Sequence, residues 1–476
     1  MNKTRSLPIV SSLIPLIILI ILLAYNVFVF GDDALSGSNQ FILLIGASIA
    51  AVVGFYYQVS YKEMLIKVAD NFQSVAGAIL ILLFVGALAG TWLASGIIPA
   101  MIYYGLKILH PSIFLPSCII ICAIISLATG SSWTTSATVG IALIGVGKAL
   151  GLPSGMIAGA VISGAYFGDK LSPLSDTTNL APAMSGGDLF SHIKYMTLTT
   201  VPSIIITLIV FVTLGFFQEQ KGAADILSLL DQIELKFNIN YWLFIAPLFV
   251  IFLISKKTPP LIALLAGTIL GAIFALIFQP DIILALSGEK TYNFSSAYKG
   301  VLNAITINTQ VETENELLYD LFSSGGMKGM LDTIWLIICA MVFGGVMEAI
   351  GALSSITNTL LNWAKSTFQL FASTVATCLT INLTASDQYL AIVIPGKMFS
   401  KAYKDRSLAP ENLSRTLEDS GTVTSALIPW NTCGAYQSSV LGVGVDQYFI
   451  YAVFNWISPF MTLLYAALKI KIRSLK

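Results

Sequence analysis

The chain of 476 residues has a composition that excludes an ordinary soluble protein. It is 56% hydrophobic, 11% of its residues are charged, and its mean hydropathy is +0.83. Soluble domains carry roughly 25% charged residues, so this deficit indicates an integral membrane protein with many spans. The formal net charge is zero, which gives no reason to expect a nucleic-acid partner.

Long apolar segments occur along the whole chain, and several contain polar residues, glycine or proline. The first, 7–30, follows Lys3 and Arg5 and is longer than the ~7–15 residue core of a signal peptide, so we interpret it as a span. The others are 41–57, 75–109, 111–150, 153–168, 188–217, 240–254, 259–279, 331–361, 368–400, 415–440 and 446–468. Because some are interrupted, hydropathy predicts about 10–13 passes.

Basic residues predict the orientation of these spans. Cytoplasmic flanks carry an excess of Lys and Arg. Such residues occur at the N-terminus, in the 58–75 loop, at 256–257, between 401 and 415, and at 469–476. We therefore expect a multi-pass protein of the cell membrane with both termini in the cytoplasm. The polar segment 280–330 is predicted to be a large external loop.

One polar stretch, GAYFGDKLSPLSDTTNLAPAMSGG (164–187), lies between two apolar segments. It contains the carboxylates Asp169 and Asp176 and the helix breakers Pro173 and Pro182. Proline removes a backbone donor and clashes with the preceding turn, so this stretch cannot be one smooth helix. Non-helical backbone at membrane depth requires protein or a water-filled cavity to satisfy it. The stretch therefore predicts a broken helix that lines a cation or small-solute site.

A second polar stretch, ATGSSWTTSATVG (128–140), contains seven Ser or Thr hydroxyls within an apolar segment. Hydroxyls of this kind satisfy freed backbone groups in membrane helices or bind ions. We predict a second broken helix or a re-entrant hairpin here.

A weak internal repeat is present at an offset of about 250–260 residues. Three pairs of segments share their order: 84–95 with 343–354, 127–133 with 383–389, and 171–178 with 426–433. The first copy begins after a loop predicted to be inside, and the second after a loop predicted to be outside, so the copies are inverted. Inverted repeats with interrupted spans are typical of secondary transporters. The predicted division is 1–75 (N-terminal spans and loop), 76–218 (first repeat), 219–330 (linking spans and polar loop) and 331–476 (second repeat).

Ionisable side chains at membrane depth are costly, about 2.5–3.5 kcal/mol for Asp at a helix centre, and therefore mark candidate sites. The predicted ion- or substrate-binding residues are Ser131, Ser132, Asp169, Ser175, Asp176, Thr177, Thr178, Asn179, Ser386, Asp387, Asp419, Asn431 and Thr432. Asp169 and Asp176 are the predicted Na⁺ ligands. Glu348 is a candidate coupling residue, with helix–helix pairing as the alternative. Asp188 is interpreted as a helix cap rather than a site residue.

The ligand types suggest the chemistry. Na⁺ is a hard cation that prefers oxygen ligands. A buried carboxylate also favours its protonated form, because burial penalises charge. Sodium and protons can then compete for the same intramembrane carboxylates, which gives obligatory exchange. Asn179, Asn431 and Thr432 complete an oxygen shell, or bind an organic carboxylate together with helix N-termini.

Other chemistry has little support. The five cysteines lie in apolar runs, and the two histidines, His110 and His192, lie near span ends, so we predict neither a cofactor nor a zinc site. The motif YFGD (166–169) lacks the first glycine of the GxGD pattern of intramembrane aspartyl proteases. We therefore predict that the protein is not an enzyme.

The segments GSSWTTSATVG (130–140) and GDKLSPLSDTTNLAPA (168–183) resemble the NhaC-type sodium/proton antiporter family. So do LTASDQYLAIVIPGKMF (383–399) and LEDSGTVTSALIPWNTCGAY (417–436). The resemblance implies the ion-transporter superfamily: an all-α polytopic membrane protein with inverted-topology repeats, broken helices and re-entrant hairpins, usually a homodimer. It implies sodium/proton antiport. The alternative is sodium- or proton-coupled transport of a small carboxylate or amino acid, as in malate/lactate exchange.

Overall fold

The computed structural model describes residues 7–30, 34, 36–217, 223–313 and 315–475. Lys3, Arg5 and Lys476 are among the basic residues from which the orientation was predicted, and they lie outside the described residues. Two apolar helices come first, α1 (Ile9–Phe30) and α2 (Ser38–Tyr56). They pack against each other and lead into the first repeat.

The first repeat contains eight helices. They are α3 (Tyr61–Ala94), α4 (Ile97–Ile108), α5 (Pro111–Thr129), α6 (Ser132–Thr135), α7 (Ile141–Ala149), α8 (Ser154–Leu171), α9 (Asp176–Ser185) and α10 (Leu189–Phe217). A capping box starts α3, in which Ser60 and Glu63 satisfy each other's backbone N–H groups. A π-helix over Ser136–Gly140 joins α6 to α7 without a break.

The linking region is more regular than the sequence predicted. It contains α11 (Ala223–Lys236), α12 (Ile245–Ser255), α13 (Pro260–Phe278), α14 (Pro280–Ser287), α15 (Phe294–Thr306), β1 (Thr309–Gln310), α16 (Glu316–Leu321) and β2 (Ser323–Ser324). The strands pair antiparallel, with Thr309 opposite Ser324. The segment predicted as a polar loop therefore folds into three helices and a hairpin. Some of its polar residues are helix caps, such as Asn293 before α15 and Asn315 before α16.

The second repeat mirrors the first in its order of elements. Its helices are α17 (Leu331–Ala349), α18 (Ala352–Trp363), α19 (Thr367–Thr384), α20 (Gln388–Asp405), α21 (Pro410–Leu417), α22 (Thr432–Leu441), α23 (Val445–Tyr448) and α24 (Val453–Ala467). A π-helix over Glu418–Thr422 and a 3₁₀ turn over Val423–Leu427 extend α21 towards the break before α22.

Helix ends recur in the two repeats at a nearly constant offset. Three pairs of residues with a left-handed backbone mark helix boundaries at equivalent positions: Gly96 and Gly351, Gly130 and Ser386, and Gly186 and Gly442. A fourth pair, Ser175 and Asn431, consists of polar N-caps that begin equivalent helices. The members of each pair are 255 or 256 residues apart. A left-handed backbone ends a helix and a polar cap begins the next one, so the breaks themselves are repeated.

This offset corrects the predicted register of the repeat. The sequence alignment of 84–95 with 343–354 has an offset of 259 residues, whereas Gly96 and Gly351 define an offset of 255. The predicted alignment is therefore shifted by four residues. Four residues are about one helical turn, and small residues recur at that spacing in both apolar helices. Sequence similarity alone therefore permitted a slip of one turn. Glu348 corresponds to Leu93 in the structure, rather than to Ala89.

The first repeat contains a hairpin with its tip at 130–131. Gly147 of α7 packs against Phe114 near the start of α5, so the α6–α7 segment returns alongside α5. In the second repeat, Thr374 of α19 contacts Tyr403 of α20 through their hydroxyls at 3.2 Å, which forms the equivalent hairpin. The predicted fold, with inverted repeats, broken helices and re-entrant hairpins, is confirmed.

Seven of the described helices are long and apolar enough to cross a membrane. Counting the pair Ile226–Lys236 and Tyr241–Ser255, bent by 89°, as one broken span gives eight. The predicted 10–13 passes exceed this number because they included interrupted, polar segments. Those segments contain α8, α19 and α20, which are not among the seven.

Close packing of α5 on α8 gives a prediction for stability. A Cβ atom at Gly164 would lie 2.3 Å from the carbonyl oxygen of Ile119, which is backbone and cannot rotate away. We expect Gly164→Ala to lower the free energy of unfolding by about 1–3 kcal/mol, as overpacking does. Thermal unfolding in detergent measures this. Gly77→Ala, also in a helix, meets no atom within 4 Å and should leave stability unchanged or slightly raised. Equal midpoints for the two variants would contradict the packing.

Candidate functional site

Asp169 lies in the last turn of α8, where the tip of the first hairpin meets it. Its Oδ2 accepts hydrogen bonds from the backbone N–H of Ser132 at 3.0 Å and from the Ser132 hydroxyl at 2.7 Å. Ser131 is the N-cap of α6, and its hydroxyl accepts a hydrogen bond from the Thr134 N–H at 3.1 Å. Asp169 is 8% exposed and takes part in none of the ion pairs among the described residues. It is therefore a buried carboxylate with hydrogen-bond donors but no cation from the protein.

The break between α8 and α9 is held together by its own polar side chains. Thr178 donates from its hydroxyl to the carbonyl of Asp169 at 3.3 Å. Asn179 donates from Nδ2 to the carbonyl of Ser175 at 2.7 Å, and Ser175 caps α9. Thr178 and Asn179 thus satisfy the backbone that the break frees, as non-helical chain at membrane depth requires.

The two predicted Na⁺ ligands occupy different environments. Asp169 is buried, whereas Asp176, in the first turn of α9, is exposed. Asp176 is nevertheless close enough to interact electrostatically with Asp169. Thr177, next to it, is buried and contacts the Ser175 hydroxyl at 3.2 Å. The break therefore presents one buried and one accessible carboxylate.

The second repeat builds an equivalent tip and break. Asp387 is 3% exposed and caps α20, accepting from the Leu390 N–H at 3.0 Å. Ser386 has a left-handed backbone, with φ of 59°, and its carbonyl accepts from the Thr432 N–H at 3.0 Å. Asn431 caps α22. The second hairpin tip is thus bonded directly to the second break.

The two repeats touch through an aromatic pair. The rings of Trp133 and Tyr436 stack with centroids 4.0 Å apart, and the Tyr436 hydroxyl donates to the Trp133 carbonyl at 3.0 Å. Trp133 belongs to the first hairpin tip and Tyr436 to α22. On the other side, α20 packs on α9, with Gly396 facing Met184. Each hairpin therefore packs on the broken helix of the other repeat.

A cavity of about 560 Å³ lies where the hairpin tips and the first break meet. Nine of the predicted site residues line it: Ser131, Ser132, Asp169, Ser175, Asp176, Thr177, Asn179, Asp387 and Thr432. Its remaining wall includes α3 residues between 74 and 81 and the α12–α13 turn with Lys257. Thr178, Ser386 and Asn431 are not among the lining residues. They form hydrogen bonds with backbone groups at the two breaks, behind the cavity wall.

Asp419 lies outside this cavity in a fully buried ion pair. The Lys170 ammonium contacts its Oδ1, while the hydroxyls of Thr199, at 2.9 Å, and Thr462 donate to its Oδ2. Both side chains of the ion pair are 0% exposed. Because protein groups occupy its oxygens, we do not include Asp419 among the proposed ligands of a transported ion.

Two further carboxylates have local structural partners. Glu348 of α17 forms an ion pair with Lys67 of α3 at 2.9 Å, which corresponds to the alternative of helix–helix pairing. Glu348 does not line the cavity. Asp188 accepts from the Ser191 N–H at 2.9 Å, so the predicted cap at the start of α10 is confirmed. All five cysteines are buried and free of disulfides.

A second cavity, of about 670 Å³, approaches the second break from another side. Its lining includes Leu427, Pro429 and Ala435 around the break, together with Asp332 and Asp446. Thr432, between those positions, lines the first cavity instead. The short segment 428–435 therefore separates the two cavities.

Comparisons with known proteins agree on one family. A model of the Na⁺/H⁺ antiporter family matches residues 164–470. The Na⁺/H⁺ antiporter NhaC of Alkalihalophilus pseudofirmus is 38% identical, covering 90% of each chain. The malate-2H⁺/Na⁺-lactate antiporter of Bacillus subtilis is 37% identical, covering 88% of this chain and 86% of its own. The arginine/ornithine antiporter ArcD of Halobacterium salinarum is 34% identical, covering 95% and 90%.

The chain belongs to the Na⁺/H⁺ antiporter family. The predicted NhaC-type resemblance is thereby confirmed. The matched region begins at the first residue of the polar stretch 164–187 and ends at residue 470, just after the last helix of the second repeat. It therefore includes the first break, the second hairpin and the second break, which together supply seven of the nine predicted site residues that line the cavity.

The sequence analysis assigned no role in the site to a group of buried charges in this member of the Na⁺/H⁺ antiporter family. Lys170, Arg415 and Glu418 are each 0% exposed. The Arg415 guanidinium stacks 4.5 Å from the Tyr195 ring, and its nitrogens have no hydrogen-bond partner among the described residues. The available indication was charge pattern: Lys170 directly follows Asp169, and charges of both signs in apolar segments predict pairing.

The buried ion pair gives a prediction that compares its contribution to stability with that of an exposed ion pair. Removing one partner of Lys170–Asp419 leaves an uncompensated buried charge, which costs about 3–5 kcal/mol. We expect Lys170→Met or Asp419→Leu alone to lower the thermal midpoint in detergent strongly, and the double variant to recover much of the loss. Lys299→Met, which breaks the half-exposed pair with Glu289 at 2.9 Å, is the control and should cost at most about 1 kcal/mol. Additive single effects in the double variant would contradict the pairing.

Proposed function

We propose that this protein exchanges Na⁺ for H⁺ and that Asp169 is the central Na⁺ ligand. The observation that carries the proposal is a buried carboxylate on a cavity, held by two Ser132 donors, with no cation from the described residues paired to it. A buried charge without a partner is costly, so a mobile cation or a proton neutralises it. Competition between the two at the intramembrane carboxylates couples their movements.

The cavity wall supplies the oxygens that such a cation prefers. Asp387 adds a second buried carboxylate, and Ser131 and Thr432 add hydroxyls. Asp176 stands at the accessible side and attracts cations to the cavity. Hard cations bind carboxylate, hydroxyl and carbonyl oxygens, so this set suits Na⁺. The set comes from both repeats, as expected for a site at a repeat interface.

Two cavities on different sides of one thin segment support alternating access. We assign the first cavity to the cytoplasmic side, because its wall includes the turn that carries Lys257. The second cavity is lined by Ala34, Ser36 and Asn39, between the first two spans, and by residues from Gly329 to Leu336, next to the predicted external segment 280–330. Because the N-terminus and the 58–75 loop are predicted to be cytoplasmic, the link between the first two spans is expected to be external, and we assign this cavity to the outside. Movement of the segment 428–435 with its hairpin would close one cavity and open the other.

Location and assembly complete the proposal. We place the protein in the cell membrane with both termini in the cytoplasm, as a homodimer. Repeats 76–218 and 331–476 form the transport unit, and segments 1–75 and 219–330 form the surrounding scaffold. Na⁺ and H⁺ are the transported species, and no resident cofactor enters the mechanism.

A second candidate function is coupled transport of a small organic anion or amino acid. It is favoured by the cavity volume of about 560 Å³, which far exceeds what one cation needs and lies in the range of small-molecule sites. Lys257 in the wall supplies a positive charge for a carboxylate. The 37% identity to the malate-2H⁺/Na⁺-lactate antiporter points the same way.

The antiport proposal is tested in liposomes that contain a pH dye and no organic solute. Added Na⁺ should move protons through the wild-type protein. Asp169→Asn should lower this flux about tenfold or more, equivalent to at least ~1.4 kcal/mol, because the buried charge is lost. Asp176→Asn should mainly raise the Na⁺ concentration for half-maximal flux, since that carboxylate is exposed.

Asp188→Asn is the matched control, because Asp188 is exposed, caps α10 and does not line the cavity. It should transport like the wild type. Retention of full flux by Asp169→Asn would remove Asp169 from the mechanism. Absence of Na⁺-driven proton flux in the wild type would reject antiport without a co-substrate.

The second candidate is tested with the same liposomes and a panel of malate, lactate, arginine and ornithine. If an organic solute is transported, one of them should stimulate Na⁺-driven proton flux and accumulate against its gradient. Lys257→Gln should then weaken the solute's effect and leave solute-free flux intact. Unchanged flux across the panel would reject this function.

A further inference from the structure

Glu418 is a fully buried carboxyl group that the proposed ion site does not use. It begins the π-helix that extends α21, and it is 0% exposed. Neither of its oxygens has a hydrogen-bond partner among the described residues. Thr422 lies close to it but outside hydrogen-bonding geometry. π-Helices are rare and occur often at functional sites.

The charges around Glu418 connect it to the Na⁺ site. It directly precedes Asp419, whose Oδ1 contacts the Lys170 ammonium, and Lys170 directly follows Asp169, so these four charged groups lie close enough together to interact electrostatically. Lys170 is already paired with Asp419, and none of the ion pairs among the described residues includes Glu418. An ionised Glu418 would therefore add a negative charge near ionised Asp169, at a position that is itself buried from solvent. Like charges in such surroundings cannot both ionise at low cost.

Other titratable groups near this π-helix do not neutralise the charge of an ionised Glu418. The elements packed against it are α9, α19, α20, α21, α24 and the 3₁₀ turn over Val423–Leu427, which contains no titratable residue. They bring Cys378, Tyr403, Arg415 and Tyr465 to this region, together with Asp176 at the exposed side of α9. Cysteine and tyrosine are ordinarily neutral near pH 7. The Arg415 guanidinium stacks on Tyr195 and makes no ion pair with Glu418.

We propose that Glu418 carries the proton that Na⁺ displaces when it binds at Asp169. This inference rests on the proposed antiport function and assigns its two ions to two carboxylates. With Asp169 ionised and empty, Glu418 keeps its proton. Na⁺ cancels the charge of Asp169, the O–H bond of Glu418 breaks, its electrons stay on the carboxylate near Lys170, and the proton passes to water. The summed charge of the two carboxylates and their ions is the same before and after.

Reciprocity follows from this coupling. If Na⁺ at Asp169 weakens proton binding at Glu418, a proton at Glu418 weakens Na⁺ binding by the same factor. Binding of either ion then expels the other, although the two never share a ligand. The arrangement differs from direct competition at Asp169, in which one carboxylate holds both ions in turn.

Titration calorimetry on detergent-solubilised protein tests the assignment. Na⁺ is titrated in two buffers of different ionisation enthalpy, which counts the protons released. Wild type should release about one proton per Na⁺, and its Na⁺ affinity should fall about tenfold per pH unit below the midpoint. Glu418→Gln should bind Na⁺ without proton release and with an affinity independent of pH. Glu411→Gln, on the same helix and outside this group of charges, should match the wild type.

Each other outcome decides against one proposal. Proton release that persists in Glu418→Gln overturns the assignment and leaves the proton on Asp169, with antiport intact. Absence of Na⁺ binding by the wild type overturns the proposed function itself. If Glu418→Gln does not elute as folded protein, Glu418→Asp decides: it should release a proton with a shifted pH midpoint. An unchanged midpoint would overturn the assignment.

Discussion

The structure depends on how broken helices at membrane depth satisfy their freed polar groups. At each break the partner is the hairpin tip of the same repeat. Ser132 donates twice to Asp169 in the first repeat, and in the second the Thr432 N–H and the Trp430 indole donate to the carbonyls of Ser386 and Leu383. Because unpaired backbone groups are costly there, tip and break stay together. Each repeat thus contributes one hairpin–break unit, and the cavity lies where the two units meet.

The repeated backbone and the unrepeated charges have different roles. Breaks and caps recur at an offset of 255 or 256 residues, but acidic residues do not. At the offset of 256, Asp169 corresponds to Ser425, Asp387 to Ser131, and Glu418 to Ile162. Helix breaks are set by left-handed residues and caps, which a second copy preserves without any charge. The pseudo-symmetric scaffold therefore carries an asymmetric set of carboxylates, and that asymmetry distinguishes a proposed Na⁺ carboxylate from a proposed proton carboxylate.

The local sequence pattern predicted where the helices break, but it did not predict which distant residues pair with each other. The polar stretches around 128–140 and 164–187 identified the first tip and break, because polar residues at membrane depth are costly unless a break or a site uses them. The register of α3 against α17 was wrong by one turn, since uninterrupted apolar helices carry little register information. The pairing of Lys170 with Asp419 spans 249 residues, and no local pattern specifies which of several carboxylates a buried lysine selects. Glu418 was left out of the predicted site for the same reason, because its role depends on which carboxylate Lys170 pairs with.

The contact between Trp133 and Tyr436 links the two hairpin–break units across the cavities. Trp133 belongs to the tip that lines the first cavity, and Tyr436 belongs to α22, whose start separates the first cavity from the second. The stack therefore reports the relative position of the two units. Packed interiors resist continuous deformation, so a change of access requires the units to shift against each other as rigid bodies. Ion binding biases such a shift only through different affinities for the two arrangements. In the proposed mechanism two carboxylates supply that difference, because Na⁺ cancels the charge of Asp169 in one arrangement and a proton cancels the charge of Glu418 in the other.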